Sequence, residues 1–359
     1  MQPDYSRQVL LREVGAAGQA KLARSRALIV GVGGLGSPVM QYLAGAGVGF
    51  LGLVDADTLH ASNLHRQPIY AWDRVGEMKV HLAESAITKL NPSVQVETHA
   101  ARLTADNALD LIRAYDIVVD CSDNFRTKFL INDAAVLAQR PAVFASVYQY
   151  EGQLQVYKPE QRHACLRCLW PDATADGVVG NCAEAGVLGP VPGAFGALQA
   201  LMTLKILLDM PGQLAGELLL LDFMNFSSVK IQAPRRAECI APRCALIHEL
   251  PPEDVAIEMR FASLVAAAEH RLELIDIRSA EEFDAAPTPA RHIPVATLLA
   301  NPKLLTPGVE YLFICASGKR SLAAARALRQ SGLNVHSLAG GLQAIGSLAD
   351  APAPATGER

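Results

Sequence analysis

A glycine-rich loop near the start of the sequence has the spacing that brings a backbone close to a phosphate. Gly31, Gly33 and Gly36 form G-x-G-x-x-G after an apolar run, with Gly34 between them, and Asp55 ends the next run. Glycines let backbone N–H groups approach a phosphate at a helix N-terminus, where the helix dipole favours negative charge. An acid at this separation is typical of a ribose ligand. The loop predicts a nucleotide site and, alone, favours a nicotinamide or flavin dehydrogenase.

Polar and charged side chains after the loop fit a triphosphate better than a dinucleotide. They are Asp57, Ser62, Asn63, Arg66, Lys79, Asp123 and Asn124. Attack on an α-phosphorus shifts negative charge, which fixed Arg and Lys groups stabilise. A carboxylate such as Asp123 suits Mg²⁺. Because a dehydrogenase has little use for the two cations, the set predicts an ATP site with magnesium.

The chain contains seven cysteines, and four of them occur as two pairs. Cys165 and Cys168 are spaced C-x-x-C, and Cys239 and Cys244 are spaced C-x-x-x-x-C later in the chain. Four thiolates at such spacings suit a tetrahedral structural Zn²⁺, and the alternative is four unrelated thiols. Cys182 lies in a loop of small residues.

The elements that must position these residues alternate between strand and helix. Apolar runs at 27–32, 50–54, 116–120 and 141–145 predict short buried strands, with helical stretches between them. A long apolar helix at 194–208 and a strand at 218–223 follow, and the sheet is expected to end near Ala233. This order predicts an α/β fold with a Rossmann-like, doubly wound, mostly parallel sheet, whose ligand binds at the carboxyl ends of the strands.

A second, smaller α/β domain is predicted after a polar, proline-containing connector. New strands are expected at 272–277 and 311–315. We predict a first domain over residues 1–245, a linker over 246–258, a second domain over 259–347 and a disordered tail over 348–359.

Bulk composition excludes several classes of function. The 359 residues are half hydrophobic and carry a net charge of −4, with both signs interspersed, so no nucleic-acid partner is expected. The uncharged stretch 27–54 contains eight glycines and Pro38, which suits a soluble core better than a membrane span. The first residues lack a secretory pattern, and we expect a cytoplasmic protein without membrane contact.

The first domain resembles the MoeB/ThiF family, the bacterial relatives of ubiquitin-activating enzymes. The residues that carry the resemblance are Ser6-Arg7-Gln8, Gly31 to Gly36, Asp55 to Asp57, Ser62 to Gln67, Lys79 and Asp123-Asn124. It implies that Asp55 holds ribose hydroxyls, Arg66 and Lys79 hold phosphates, and Asp123 holds magnesium. It also implies a homodimer in which Arg7 reaches the neighbouring subunit's ATP site.

The resemblance further implies a substrate, a small ubiquitin-like sulfur-carrier protein that ends in Gly-Gly and is adenylated at its terminal carboxylate. In some family members a cysteine at the position of Cys182 forms a covalent link to the carrier, but relatives without that activity also have one. The second zinc pair departs from the usual C-x-x-C of the family by two added residues.

The second domain resembles a rhodanese sulfurtransferase. The matching segments are Ile275-Asp276-Ile277-Arg278, Glu281-Glu282-Phe283, His292-Ile293-Pro294, Cys315 to Ser321 and Gly340-Gly341-Leu342. Backbone N–H groups of residues 316–321, at a helix N-terminus beside Lys319 and Arg320, would stabilise a thiolate or persulfide on Cys315. Arg291 and Val295 replace the glycines usual on either side of the His-Ile-Pro segment.

Together, these features predict ATP-dependent adenylation of the carrier, followed by sulfur transfer through Cys315, and through Cys182 if it takes part. A cysteine desulfurase is the expected kind of sulfur donor. Two other functions stay open at this point. One is a nicotinamide-dependent oxidoreductase, and the other is a protein whose rhodanese-like domain is a non-catalytic adaptor.

Overall fold

The computed structural model describes residues 3–159, 163–170, 186–236, 257–270, 272–306, 308–329 and 333–345. These residues form two compact units, the first up to residue 236 and the second from residue 257. The predicted linker lies outside the described residues up to 256, and Ile257 and Glu258 belong to the second unit. The predicted tail lies outside the described residues.

The first unit has one large sheet. Its described strands are β1 Arg26–Val30, β2 Phe50–Val54, β3 Gln95–His99, β4 Ile117–Asp120, β5 Ala142–Tyr148, β6 Glu151–Tyr157, β7 Glu217–Asp222 and β8 Ser227–Gln232. They are ordered β3-β2-β1-β4-β5-β6-β7-β8. The first five are parallel, and β5 to β8 pair antiparallel. The Rossmann-like prediction is confirmed, and the antiparallel strands extend one edge of the sheet.

Helices cover both faces of this sheet. They are α1 Ser6–Val9, α2 Gly15–Leu22, α3 Gly36–Gly45, α4 Lys79–Leu90, α5 Ala105–Arg113, α6 Phe125–Ala138, α7 Leu166–Leu169 and α8 Pro190–Leu207, with 3₁₀ turns at Ala61–Arg66 and Trp72–Arg74. Because side chains alternate along a strand, Ile29 of β1 joins the cluster containing α3, α4 and α8, while Leu28 and Val30 join the one containing α5 and α6.

Helix α8 is long and apolar enough to cross a membrane by length and composition alone. However, 56% of it is buried within the protein. It packs against α3, β5 and β6, and its residues Phe195, Gln199 and Thr203 are fully buried. In this fold, α8 is therefore a core helix of the first unit.

The described strands of the second unit are β9 Glu258–Met259, β10 Glu273–Asp276, β11 Arg291–His292, β12 Glu310–Ile314 and β13 Asn334–Leu338. The unit arranges them in a parallel sheet, in the order β11-β10-β12-β13-β9. Its helices are α9 Leu264–Ala268, α10 Ala280–Ala285, α11 Val295–Ala300 and α12 Lys319–Arg329, with 3₁₀ turns at Pro302–Leu304 and Gly341–Ala344. Tyr311 and Phe313 of β12 face one apolar cluster, and Leu312 and Ile314 face the other. This confirms the smaller α/β domain.

Candidate active sites

The carboxyl ends of β1, β2 and β4 meet at one edge of the large sheet. Val30 pairs with Val54 on one side and with Asp120 on the other. Gly31 and Asp55, the next residues along β1 and β2, therefore lie side by side. In open α/β sheets this edge is where ligands bind. The structure thus brings together the predicted glycine loop, the predicted ribose-binding acid and the start of the segment that contains Asp123.

The four predicted glycines form the tight turn between β1 and α3. Gly31 has a φ of +92°, which favours glycine. A Cβ on Gly36 would lie 2.1 Å from the Gly31 carbonyl oxygen, so only glycine lets α3 begin so close to the strand. Gly33 and Gly34 lie between them, and the N-terminus of α3 faces this loop. This geometry suits a phosphate group.

Asp55 is tied to the loop by hydrogen bonds. Its Oδ2 accepts from the Val32 N–H at 2.9 Å, and its Oδ1 accepts from the Asp57 N–H at 2.8 Å. Burial raises the pKa of Asp55, and the positive charge of Lys79 opposes this rise. Asp55 is thus a fixed acceptor beside the glycine loop.

Lys79, the first residue of α4, forms an ion pair with Asp57. Its Nζ lies 3.0 Å from Asp57 Oδ2, and its backbone N–H donates to the Asp57 carbonyl at 3.0 Å. The Lys79 side chain is 7% exposed and that of Asp57 is 66% exposed. The structure therefore holds this predicted phosphate ligand rigidly at the same edge of the sheet.

Arg66 folds back on the 3₁₀ turn that contains it. Its Nη1 donates to the Ser62 carbonyl at 2.9 Å and lies 2.8 Å from His65 Nε2. Asn63 is buried, and its Oδ1 accepts from the His60 N–H at 3.1 Å. In this conformation Arg66 is half-buried and its guanidinium is held by its own turn. The Asn63 side chain has a role in holding the turn.

Asp123 and Asn124 lie between β4 and α6. The Asp123 carboxylate is exposed. Asn124 caps α6, because its Oδ1 accepts from the Thr127 N–H at 2.8 Å. The cap uses the amide oxygen of Asn124, so the Asp123 carboxylate is the group in this segment that could hold a metal ion.

A buried ion pair supports this segment from below. Asp120 is fully buried and accepts from Lys128 Nζ at 2.6 Å. Its other carboxylate oxygen accepts from the hydroxyl and the N–H of Ser122, at 2.5 and 3.1 Å. Gln199 of α8 donates from Nε2 to the Asp120 carbonyl at 2.6 Å. The sequence analysis did not identify Lys128 or Gln199. Lys128 could have been found from its position near the start of a helix that follows an acidic strand end.

Arg7 lies near the amino ends of the parallel strands, whereas the glycine loop lies at their carboxyl ends. The adjacent Gln8 donates from Nε2 to the carbonyl of Ala46, shortly before β2 begins. Tyr5 accepts from Asn91 Nδ2 at 2.8 Å, shortly before β3 begins. Because a five-residue strand is about 16 Å long, α1 is kept from the carboxyl edge of its own chain. The structure does not bring Arg7 to the site in the same chain.

The first predicted zinc pair is close and buried. Cys165 immediately precedes α7, and Cys168 is the third residue of that helix. Their sulfurs lie 3.9 Å apart. A Zn–S distance of about 2.3 Å puts two tetrahedral thiolates about 3.8 Å apart, so the pair fits zinc. Among the described residues, no three His, Cys, Asp or Glu side chains are grouped to hold a metal. Cys182, Cys239 and Cys244 lie outside the described residues.

Cys315 follows β12 and is fully buried at the start of a tight loop. The Ser321 N–H points to its sulfur at 3.4 Å, and the Ser321 hydroxyl lies 3.4 Å from the same sulfur. Gly341 has a φ of +60°, and a Cβ there would lie 2.3 Å from the Cys315 carbonyl oxygen. The loop and the Gly340-Gly341 turn therefore pack directly against each other.

Arg320 of the Cys315 loop is bound to Glu282 by two hydrogen bonds, at 2.7 and 2.6 Å. This pairing lowers the pKa of Glu282 to about 2. The prediction that Arg320 adds positive charge beside Cys315 is therefore incomplete, because a carboxylate balances that charge. Glu282 itself caps α10 together with Ser279, so the pair joins the loop to a neighbouring helix.

Two protein-family models match the sequence. The ThiF family model matches residues 5–241, and the rhodanese-like domain model matches residues 261–347. The first match spans most of the chain.

The chain belongs to the ThiF family. The two matches confirm the resemblances of the first domain to the MoeB/ThiF family and of the second domain to rhodanese. Among curated relatives, the sulfur carrier protein adenylyltransferase of Thermus thermophilus is 46% identical over 253 residues, which cover 69% of this chain and 92% of that protein. The adenylyltransferase and sulfurtransferase MOCS3 of Sus scrofa is 41% identical over 318 residues, or 82% of this chain and 70% of that protein.

A solved structure shows the same fold in the first unit of this ThiF-family chain. The crystal structure of E. coli MccB with AMPCPP and MccA matches with a TM-score of 0.57 and 24% identity, and covers 65% of this chain and 72% of that one. At this level of identity the similarity supports the fold alone.

Proposed function

We propose that this protein adenylates the C-terminal carboxylate of a ubiquitin-like sulfur-carrier protein and then converts it to a thiocarboxylate. The proposal rests on the presence of two sites in one chain. The glycine loop, Asp55 and Lys79 lie together at the carboxyl ends of the parallel strands, and a buried cysteine lies in a rhodanese-like loop. The name of the Thermus thermophilus relative describes a sulfur carrier protein adenylyltransferase, and the name of the MOCS3 relative describes an adenylyltransferase and sulfurtransferase.

In the first step, a carboxylate oxygen of the carrier attacks the α-phosphorus of ATP. A bond forms between this oxygen and the α-phosphorus. The bond between the α-phosphorus and the oxygen that bridges it to the β-phosphorus breaks, and pyrophosphate leaves. The N–H groups of the glycine loop and Lys79 hold the phosphates, and Asp55 accepts from the ribose. Asp123 is the side chain that would hold Mg²⁺, which neutralises phosphate charge when bound.

Arg7 is proposed to act across a homodimer. The position of α1 at the opposite edge of the sheet supports this proposal, because the arginine is too far away to serve its own chain. A second copy would bring the guanidinium to the shifting phosphate charge, where it supplements Arg66 and Lys79.

In the second step, a persulfide on Cys315 attacks the acyl carbon. A C–S bond forms and AMP leaves, which gives an acyl disulfide. A thiolate, from Cys182 or an external thiol, then attacks the Cys315 sulfur; the thiocarboxylate leaves, and a new disulfide forms that a further thiol must reduce. A cysteine desulfurase is the proposed class of donor that restores the persulfide.

The zinc site is proposed to be structural. The separation of the Cys165 and Cys168 sulfurs supports it, and Cys239 and Cys244 are the proposed remaining ligands. Zinc there would stabilise the fold of the first unit and take no part in either step.

The test is carrier-dependent ATP–pyrophosphate exchange, with a carrier that ends in Gly-Gly. Exchange is expected for the wild type and for Cys315→Ala, whereas thiocarboxylate formation, measured as a mass increase of the carrier, is expected to fail in Cys315→Ala. Asp123→Ala should lose both activities. Nicotinamide binding without exchange would overturn the proposal. Thiocarboxylate formation by Cys315→Ala would instead favour a non-catalytic adaptor role for the rhodanese-like domain.

A further inference from the structure

Ser337 is a serine of β13 whose hydroxyl contacts the Cys315 loop. Its Oγ lies 2.8 Å from the Oγ of Ser321, which is in turn 3.4 Å from the Cys315 sulfur. All three side chains are fully buried. Ser337 belongs to none of the segments that resemble rhodanese, and neither step of the proposed function uses it.

The sheet holds the backbone of Ser337 in place. Ser337 pairs with Phe313 of β12 on one side and with Glu258 of β9 on the other, so β13 has a neighbouring strand at each edge there. Its N–H donates to the Ile257 carbonyl at 2.8 Å. The hydroxyl therefore reaches the Cys315 loop from a fixed point of the sheet.

The Gly318 carbonyl is an acceptor that both hydroxyls can reach. It accepts from the Leu322 N–H at 3.0 Å. It also lies 3.0 Å from Ser321 Oγ and 3.3 Å from Ser337 Oγ. A carbonyl oxygen has two lone pairs, so one hydroxyl is enough to complete its hydrogen bonds. When Ser337 donates to this carbonyl, the single hydroxyl proton of Ser321 is available to the sulfur.

We infer that Ser337 is a positioning residue for the loading of sulfur onto Cys315. By donating to the Gly318 carbonyl, it leaves the Ser321 hydroxyl to donate to the sulfur while that sulfur is negatively charged. The N–H and the hydroxyl of Ser321 then both point at the thiolate, and hydrogen bonds to a charged group are stronger than those to a neutral one. This inference rests on the proposed use of Cys315 in sulfur transfer.

The step concerned is the attack of Cys315 on a donor persulfide. The Cys315 thiolate attacks the outer sulfur of the donor, and a bond forms between these two sulfurs. The S–S bond of the donor breaks, the donor leaves as a thiolate, and the outer sulfur keeps its proton. One S–S bond replaces another, so the step needs no oxidant. Because the thiolate is the attacking form, donors that keep the buried sulfur charged accelerate this step.

The inference predicts that two substitutions have effects that do not add. Ser321→Ala should slow loading about tenfold to a hundredfold, because it removes a hydrogen bond to a charged group. Ser337→Ala should slow it about threefold to tenfold, because the Ser321 proton is then shared with the Gly318 carbonyl. In a Ser321→Ala background, Ser337→Ala should have no further effect. A residue needed only for the packing of β13 would slow loading in both backgrounds.

Tyr311 offers a matched control for the loss of a buried hydroxyl. It is 1% exposed, and its hydroxyl accepts from the Thr306 N–H at 2.8 Å. Tyr311 lies at the start of β12, whereas Cys315 follows the end of that strand. Tyr311→Phe should lower the melting temperature and leave the loading rate within about twofold of the wild type.

The experiment is single-turnover loading of the full-length protein, reduced beforehand, with glutathione persulfide as the donor. The rate is followed as the mass increase of the protein by one sulfur atom, and uptake by Cys315→Ala is subtracted as sulfur bound at other thiols. Thermal unfolding of each variant is measured alongside, so that a loss of folded protein is distinguished from slower loading.

Support is slower loading in Ser337→Ala that disappears when Ser321 is already alanine. Loading by Ser337→Ala at the wild-type rate would overturn the inference, and so would equal slowing in both backgrounds. Equal sulfur uptake by the wild type and by Cys315→Ala would instead overturn the proposed function.

Discussion

Lys128, in the first turn of α6, binds the end of β4 and the middle of β5 at once. Its Nζ donates to the buried Asp120 carboxylate at 2.6 Å and to the Ala145 carbonyl at 2.6 Å. The ammonium therefore fixes the end of β4 against β5, directly beneath the segment that presents Asp123. Because Ser122 donates to the same carboxylate, the position of the proposed magnesium ligand depends on this pair.

We expect Lys128→Met to be strongly destabilising. It leaves the Asp120 carboxylate buried without its cation, which typically lowers the free energy of unfolding by about 3–5 kcal/mol. Urea unfolding measures the change. The double variant Asp120→Asn with Lys128→Met should recover part of the loss, since no uncompensated charge is then buried. Equal losses in the single and double variants would show that the charge is not the cause.

Arg7→Ala is expected to lower the rate of pyrophosphate exchange about a hundredfold to a thousandfold without changing the melting temperature. Arg12→Ala is the control, because Arg12 is almost fully exposed and, within the described part of the chain, contacts only Glu13 at the surface. Mixing Arg7→Ala with Asp123→Ala should restore up to about a quarter of the wild-type rate, since half of the random dimers contain one intact shared site. No recovery after subunit exchange would contradict action across the dimer.

Two glycines of the second unit separate two effects of a glycine-to-alanine substitution. One effect is backbone strain, and the other is a steric clash with the Cys315 loop. Gly341 and Gly308 both have positive φ, but a Cβ on Gly308 meets nothing within 4 Å. Gly308→Ala should cost about 1 kcal/mol of stability and keep sulfur transfer. Gly341→Ala adds a clash with the Cys315 carbonyl, so it should cost about 3 kcal/mol and abolish transfer while exchange continues. Retained transfer in Gly341→Ala would show that the loop tolerates displacement.

The purified protein is expected to contain about one zinc ion per chain, measured by atomic emission. Cys165→Ser should lower the zinc content and the melting temperature together, because binding of a structural metal contributes to folding. Cys121→Ala is the comparison, since Cys121 is also buried but lies near Gln199 of α8. Full zinc content in Cys165→Ser would exclude this thiol as a ligand.

Local sequence patterns were sufficient for the parallel strands β1, β2, β4 and β5 and for the order of the motifs. The predicted strands 50–54 and 116–120 match β2 and β4 closely, because continuous apolar runs buried on both faces have few other arrangements. The strands β3, β6, β8, β9, β11 and β13 were not predicted. Every residue of β8 is exposed, so it lacks the apolar signal on which the other predictions depend.

Contacts between distant parts of the chain could not be predicted from the motifs. The hydrogen bond from Gln199 to the Asp120 carbonyl and the pair of Arg320 with Glu282 join residues far apart in sequence. Neither pair has a spacing that belongs to one helix or hairpin, so only tertiary packing brings them together. For the same reason, the motif around Arg66 indicated a phosphate ligand but not the conformation in which that side chain folds back.

The second unit begins with the short strand β9, whose described sheet neighbour is β13, the last strand of that unit. Sheet formation there joins the two ends of the unit. During synthesis on the ribosome, β9 emerges first but has no strand to pair with until almost the whole unit has left the exit tunnel. Until then the edge of the apolar strand β12 that pairs with β13 is also open to association with other chains, so a chain that stops before β13 should be prone to aggregation.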